Sequence, residues 1–222
     1  MENHSTVFVG LDVHKDSTAI GTASEGRAAG RLIGTVSPKF PELLKSLGNL
    51  GPPPALSLVY EAGPCGYGLA RELRSRGYAC EVIVPSKIPR RVGERVKTDR
   101  RDAIRLAELA RAGELVNVSI PDERDEAIRD LSRAREDAVR ARLKARQQLK
   151  AMLLRHGQRY TGKSSWTQAH ERYLSSVAFA HPAQDIAFVE YRQAVGEAHA
   201  RIERIVESLR AHVENWRMRP VT

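Results

Sequence analysis

The sequence predicts an α/β protein: a mixed five-stranded sheet with flanking helices, followed by a long coiled-coil-like helical region. Three observations carry that prediction. The first third consists of short apolar runs broken by turn residues, the pattern of strands. Residues 122–156 contain neither Pro nor Gly, which suits one long helix. The net charge of +9 is unevenly spread: residues 1–85 are balanced, and the basic excess is concentrated between Ser86 and Arg159.

Thr6–Val13 reads as a mostly apolar first strand. A turn at His14 and Lys15 leads into a second strand, Asp16–Ala23. A hairpin-like turn at Glu25 and Gly26 precedes a third, Arg31–Val36. Strands joined by such short turns are antiparallel neighbours. Pro38 to Leu47 places Phe40, Leu43, Leu44 and Leu47 at helical spacing, and Gly51-Pro52-Pro53-Pro54 ends it. Ala55–Tyr60 is a fourth strand, with Glu61 just past its end. Gly63–Gly68 turns into a helix, Tyr67–Arg76, closed by Gly77, and Ala79–Val84 is a fifth strand. Thr98–Ala112 is helical and closed by Gly113, and Leu115–Ile120 is extended. Two long amphipathic helices follow, one to about His156 and one from Pro182 to Trp216. The linker between them, with a break at Gly157–Ser165, allows either a helical hairpin or a dimer seam. The element order is that of the ribonuclease H-like (RuvC-like) fold. The expected domains are 1–120 and 121–222.

Composition excludes several classes. Hydrophobic residues make up 41% of the chain and charged ones 28%, enough for a packed core. No apolar run approaches a membrane span, and Met1–Thr6 lacks a signal-peptide core, so a cytoplasmic location is expected. Cys65 and Cys80 are too few for a disulfide framework or a four-ligand zinc site.

Four acids fall where this fold needs them for chemistry. Asp12 lies near the end of the first strand and Glu61 at the end of the fourth, its expected neighbour. Asp99 and Asp102 are three residues apart, on one helix face, behind a possible cap at Thr98. Hard divalent ions prefer carboxylate oxygens, and two such ions can serve phosphodiester cleavage. Mg²⁺ or Mn²⁺ is therefore the expected cofactor. His14 could touch this site, but a turn role is favoured. The glycine-rich Gly63–Gly68 fits a tight turn aiming Glu61 better than a phosphate cradle, and Trp166 and Trp216 suit packing anchors.

The stretches GLDVHKDS, VYEAGPCGYGLARELRSRGY, VIVPSKIPR and KTDRRDAIRLAEL resemble the DEDD-type insertion-sequence transposases, over residues 6–157. By position the family's D, E, D and D fall on Asp12, Glu61, Asp99 and Asp102. The resemblance implies a RuvC-like domain, DNA as substrate and a structured guide RNA. It also implies a further C-terminal domain with a nucleophilic serine. The chain stops at Thr222, where that domain would begin, so a fragment is expected.

Basic residues flank the acids: Lys15, Arg90, Arg91, Arg95, Lys97, Arg100 and Arg101 could neutralise backbone phosphates. Arg135, Arg142, Arg146 and Lys150 recur at helical steps and suggest a rod that binds nucleic-acid backbone. The favoured reading is the N-terminal module of a transposase that homo-oligomerises through its long helices. An actin-like or sugar-kinase-like phosphotransferase is the alternative enzyme. A non-catalytic nucleic-acid-binding oligomerisation fragment is the third reading.

Overall fold

A computed structural model describes residues 6–89, 98–214 and 216. The chain divides into two compact units, Met1–Pro121 and Asp122–Thr222.

The first unit is ribonuclease H-like. Its strands are β1 (Val7–Val13), β2 (Thr18–Ser24), β3 (Arg31–Val36), β4 (Leu56–Glu61) and β5 (Ala79–Ile83). They lie in the order β3-β2-β1-β4-β5. The meander β1-β2-β3 is antiparallel, because its turns are too short for a crossover. β4 and β5 run parallel to β1 and to each other, each reached through a helix: α1 (Phe40–Gly48) before β4 and α2 (Gly68–Ser75) before β5. Beyond β5, Val118 N–H donates to the Val82 carbonyl (2.7 Å) and Val84 N–H to that of Val116 (2.9 Å). The extended segment thus covers an otherwise open sheet edge. Glu61 is the last residue of β4 rather than beyond it, because β5 is long enough to pair Ile83 with it.

Strand alternation sends side chains to two faces. Val9, Leu11, Leu58, Tyr60 and Val82 pack against Leu43 and Leu47 of α1 and Ala70 and Leu73 of α2. On the other face lies α3 (Asp99–Ala112), with Leu106 against Val59 and Ile83. Two glycines make that approach possible. Gly10 and Gly21 are cross-strand partners. A Cβ on Gly10 would collide with the Ala103 carbonyl and lie 2.7 Å from the Ala107 nitrogen; one on Gly21 would lie 2.6 Å from the Ala103 oxygen. At its far end α3 is clamped to the β2–β3 turn, where Glu108 accepts from Gly30 N–H (2.8 Å) and Arg111 donates to the Ala28 carbonyl (2.6 Å). Gly113 ends the helix with φ 71°, the left-handed region that favours glycine.

The second unit contains α4 (Glu123–Arg155), α5 (Gln168–Ser176) and α6 (Pro182–Val213). Asp125 accepts from the Trp216 indole N–H (2.7 Å), and Arg142 reaches His199 (3.2 Å). Leu153 shares an apolar cluster with Phe188. Position along α4 rises as position along α6 falls, so the two helices form an antiparallel hairpin. Of the two arrangements open from the sequence, the chain takes the hairpin.

α5 falls inside the segment expected to be a plain linker. Nine residues are too few for a clear apolar period. Its start is marked by Thr167, whose hydroxyl accepts from His170 N–H (3.3 Å). Leu174 of α5 packs on Leu149 and Met152. Trp166, just before it, has φ 68°, a strained conformation for a bulky residue, and carries the Arg146 guanidinium over its ring at 4.5 Å.

Candidate functional site

The site grows from the glycine pair. Because Gly10 faces α3, Asp12, two residues further along β1, faces the same side. The parallel register pairs Leu11 with Tyr60, so the next residues on each strand, Asp12 and Glu61, are lateral neighbours at the C-terminal end of the sheet. α3 runs antiparallel to β1 and brings its first turn, with Asp99 and Asp102, to that same end. Those two acids also complement the positive end of the helix dipole. Thr98 precedes the helix in an extended conformation but makes no side-chain cap. Its carbonyl, not its hydroxyl, engages the first turn, accepting from Arg101 and Asp102 (2.9 and 3.0 Å).

Asp12, His14 and Asp99 form the tightest group, each with a ligand atom within 4.8 Å of the others. His14 Nε2 lies 3.2 Å from Asp12 Oδ2 and 3.6 Å from Asp99 Oδ1. The Asp12 side chain is 15% exposed, against 63% for Asp99. Burial pushes the Asp12 carboxyl above its ordinary range; His14 opposes that, and the nearby charges of Asp99 and Asp102 reinforce it. Glu61 and Asp102 stand outside the tightest group, Glu61 on the adjoining strand end and Asp102 one helical turn from Asp99. A half-buried carboxylate facing two more carboxylates and an imidazole nitrogen fits a divalent cation, which relieves the repulsion and replaces lost hydration.

His14 is the residue the sequence reading passed over for a turn role. Its backbone does serve the turn, donating to the Ser17 carbonyl (2.9 Å), while its ring joins the acids. The signal was the D-x-H spacing, which places His14 one residue past the end of β1 and two from Asp12. The loop after β4 leans over the same sheet end: the Tyr60 hydroxyl donates to the Gly66 carbonyl (2.9 Å) and the Cys65 thiol to that of Val13 (3.6 Å).

A family model described as transposase, of the DEDD type named for the insertion sequence IS110, matches residues 9–157. The chain belongs to this DEDD transposase family. Among its relatives are a putative transposase, y4qE, of Sinorhizobium fredii, 46% identical over 87% of this chain and 50% of that protein. Another is the transposase for insertion sequence element IS1533 of Leptospira borgpetersenii, 34% identical over 83% of this chain and 54% of that one. The chain spans about half the length of these curated relatives. Membership in the DEDD transposases sets aside the phosphotransferase alternative, which shares the meander but not the family.

The basic residues of this transposase chain divide by environment. Lys15, Arg100, Arg101, Arg135 and Lys150 are exposed. Arg142 and Arg146 are only partly exposed and engage His199 and Trp166. The helical rod is therefore not a uniform cationic surface: Arg142, Arg146 and, with its ammonium 5.8 Å from the Trp166 ring centre, Lys150 are engaged within the helical unit. Arg90, Arg91, Arg95 and Lys97 lie outside the described residues. Among the described residues no helix is long and apolar enough to cross a membrane.

Proposed function

We propose that this chain carries the metal-holding module of a DNA transposase. Asp12, Glu61, Asp99 and Asp102 bind divalent ions, Mg²⁺ or Mn²⁺, and position a scissile DNA phosphate at the C-terminal end of β1 and β4. The observation that carries this reading is the meeting of Asp12, His14 and Asp99 at that end, with Asp102 close enough to raise the Asp12 pKa. When bound, such ions stabilise the attacking and leaving oxygens of a phosphodiester. The protein's own residues hold the geometry. Asp12 is fixed by the sheet, Asp99 and Asp102 by α3, and the Gly10–Gly21 pair sets how closely the helix approaches. Exposed Lys15, Arg100 and Arg101 supply positive charge for the flanking phosphates.

DNA and a structured guide RNA are the proposed partners, supported by the basic excess and by the exposure of Arg135 and Lys150. Self-association through the helical unit is supported by the exposed apolar residues Leu143, Leu154, Ile186 and Val189. Titration calorimetry with Mn²⁺ tests the metal site. The double variant Asp12→Asn, Asp99→Asn should lose at least about tenfold in affinity, since even indirect partners of a ligand are worth that much. Undiminished binding would overturn the proposal.

A further inference from the structure

We infer that His14 is itself a ligand of the divalent ion, and that the site therefore selects Mn²⁺ over Mg²⁺. The inference rests on the metal-holding reading above and sharpens it from four acids to a mixed nitrogen–oxygen donor set. The His14 ring is 53% exposed, so packing does not fix its direction. The turn needs only its backbone N–H, bonded to Ser17. Its Nε2 lies at hydrogen-bond distance from Asp12 Oδ2 (3.2 Å) and 3.6 Å from Asp99 Oδ1; with the ring proton on Nδ1, the Nε2 lone pair faces both acids and is open to an ion. Ligands about 2.1 Å from one ion are about 3.0–3.4 Å apart in neighbouring octahedral or tetrahedral positions. The two His14 separations fall in that range and just beyond it, and the Asp12 and Asp99 oxygens lie within 4.8 Å of each other, so the three donors surround a space that one ion could occupy.

Donor chemistry then sets the preference. Mg²⁺ dehydrates reluctantly and takes oxygen ligands. Mn²⁺ shares that oxygen preference but begins the first-row transition series, whose ions bind nitrogen donors with increasing strength. Mn²⁺ accepts both donor types. The carboxylates would hold either ion, and the imidazole adds more affinity for Mn²⁺ than for Mg²⁺. A residue that merely orients Asp12 by a hydrogen bond would support both ions alike.

Pulsed electron paramagnetic resonance of the full chain loaded with Mn²⁺ tests this directly, because a coordinated imidazole nitrogen modulates the electron spin echo. The native protein should show that ¹⁴N modulation and bind Mn²⁺ at least about tenfold more tightly than Mg²⁺ measured by competition. His14→Ala should lose the modulation and about tenfold in Mn²⁺ affinity, with its Mg²⁺ affinity within about twofold of native. Mn²⁺ bound in an Asp12-dependent way without ¹⁴N modulation overturns the ligand role and leaves the acid site standing. Equal losses for both ions in His14→Ala reduce His14 to a positioning residue and also overturn it. Absence of any Asp12-dependent binding removes both readings.

Discussion

Asp12 carries a conflict between burial and charge. It sits at a strand end, mostly out of water, with Asp99 and Asp102 nearby. Its raised pKa means that the ionised form is disfavoured in the fold relative to the unfolded chain. The resulting stabilisation is present below the ordinary value of 3.8 and is lost as pH rises through the elevated folded value. At neutral pH, without divalent ions, Asp12→Asn should therefore raise the melting temperature. It should also abolish the further rise that added Mn²⁺ gives the native protein. A calorimetric scan of both proteins, with and without the ion, checks this; an unchanged or lowered melting temperature for the ion-free variant would contradict it. Cys80 is shifted the same way without conflict: burial pushes its thiol up to about 12, so it stays neutral and serves as a small core side chain.

At the scale of elements, the β1–α3 contact decides whether the acids meet. Gly10 and Gly21 bring backbone against backbone there. Gly10→Ala forces α3 away from the sheet, because the obstructing atoms are main-chain and cannot rotate aside. Overpacking of this kind costs about 1–3 kcal/mol, read as a lowered urea midpoint with an unchanged slope. Because the same displacement moves Asp99 and Asp102 away from Asp12, Mn²⁺ affinity should fall in the folded variant as well. Gly34→Ala, whose Cβ meets open space, should leave the metal affinity unaltered. The hairpin of α4 and α6 shows the same principle in another form. Amphipathic stripes that suggest a dimer seam are largely satisfied within the chain, through Leu149, Met152, Leu153 and Phe188.

For the whole molecule, the proposed binding of nucleic acid rests on charge rather than on fold. Charge reversal at exposed Arg135 and Lys150 should weaken binding to all sequences similarly and reduce the salt slope by about 1–2, because each phosphate contact releases close to one counterion. Arg146→Ala should instead lower the stability of the helical unit, through loss of its stacking on Trp166. Fluorescence anisotropy across a salt series, paired with denaturant unfolding, separates the two effects. A full-sized slope in the Arg135, Lys150 double reversal would remove the rod from the interface.

The sequence alone determined the elements whose signals are local. Alternating apolar runs fixed the five strands, with Arg31–Val36 matching its expected bounds, and Gly113 fixed the end of α3. It also singled out Asp12, Glu61, Asp99 and Asp102 as candidates, since strand-end positions and the i, i+3 spacing of Asp99 and Asp102 are local signals. Tertiary structure decided which of those groups share a space. That Gly10 stacks on Gly21 beneath Ala103, and so admits α3, depends on register between strands and on a helix more than eighty residues away. His14 joins the acids for the same reason: its neighbour Asp12 is local, but Asp99 arrives only through α3. Arg142 and Arg146 look like surface cations in the sequence and turn toward α6 and Trp166, because helical periodicity marks a face without saying what covers it.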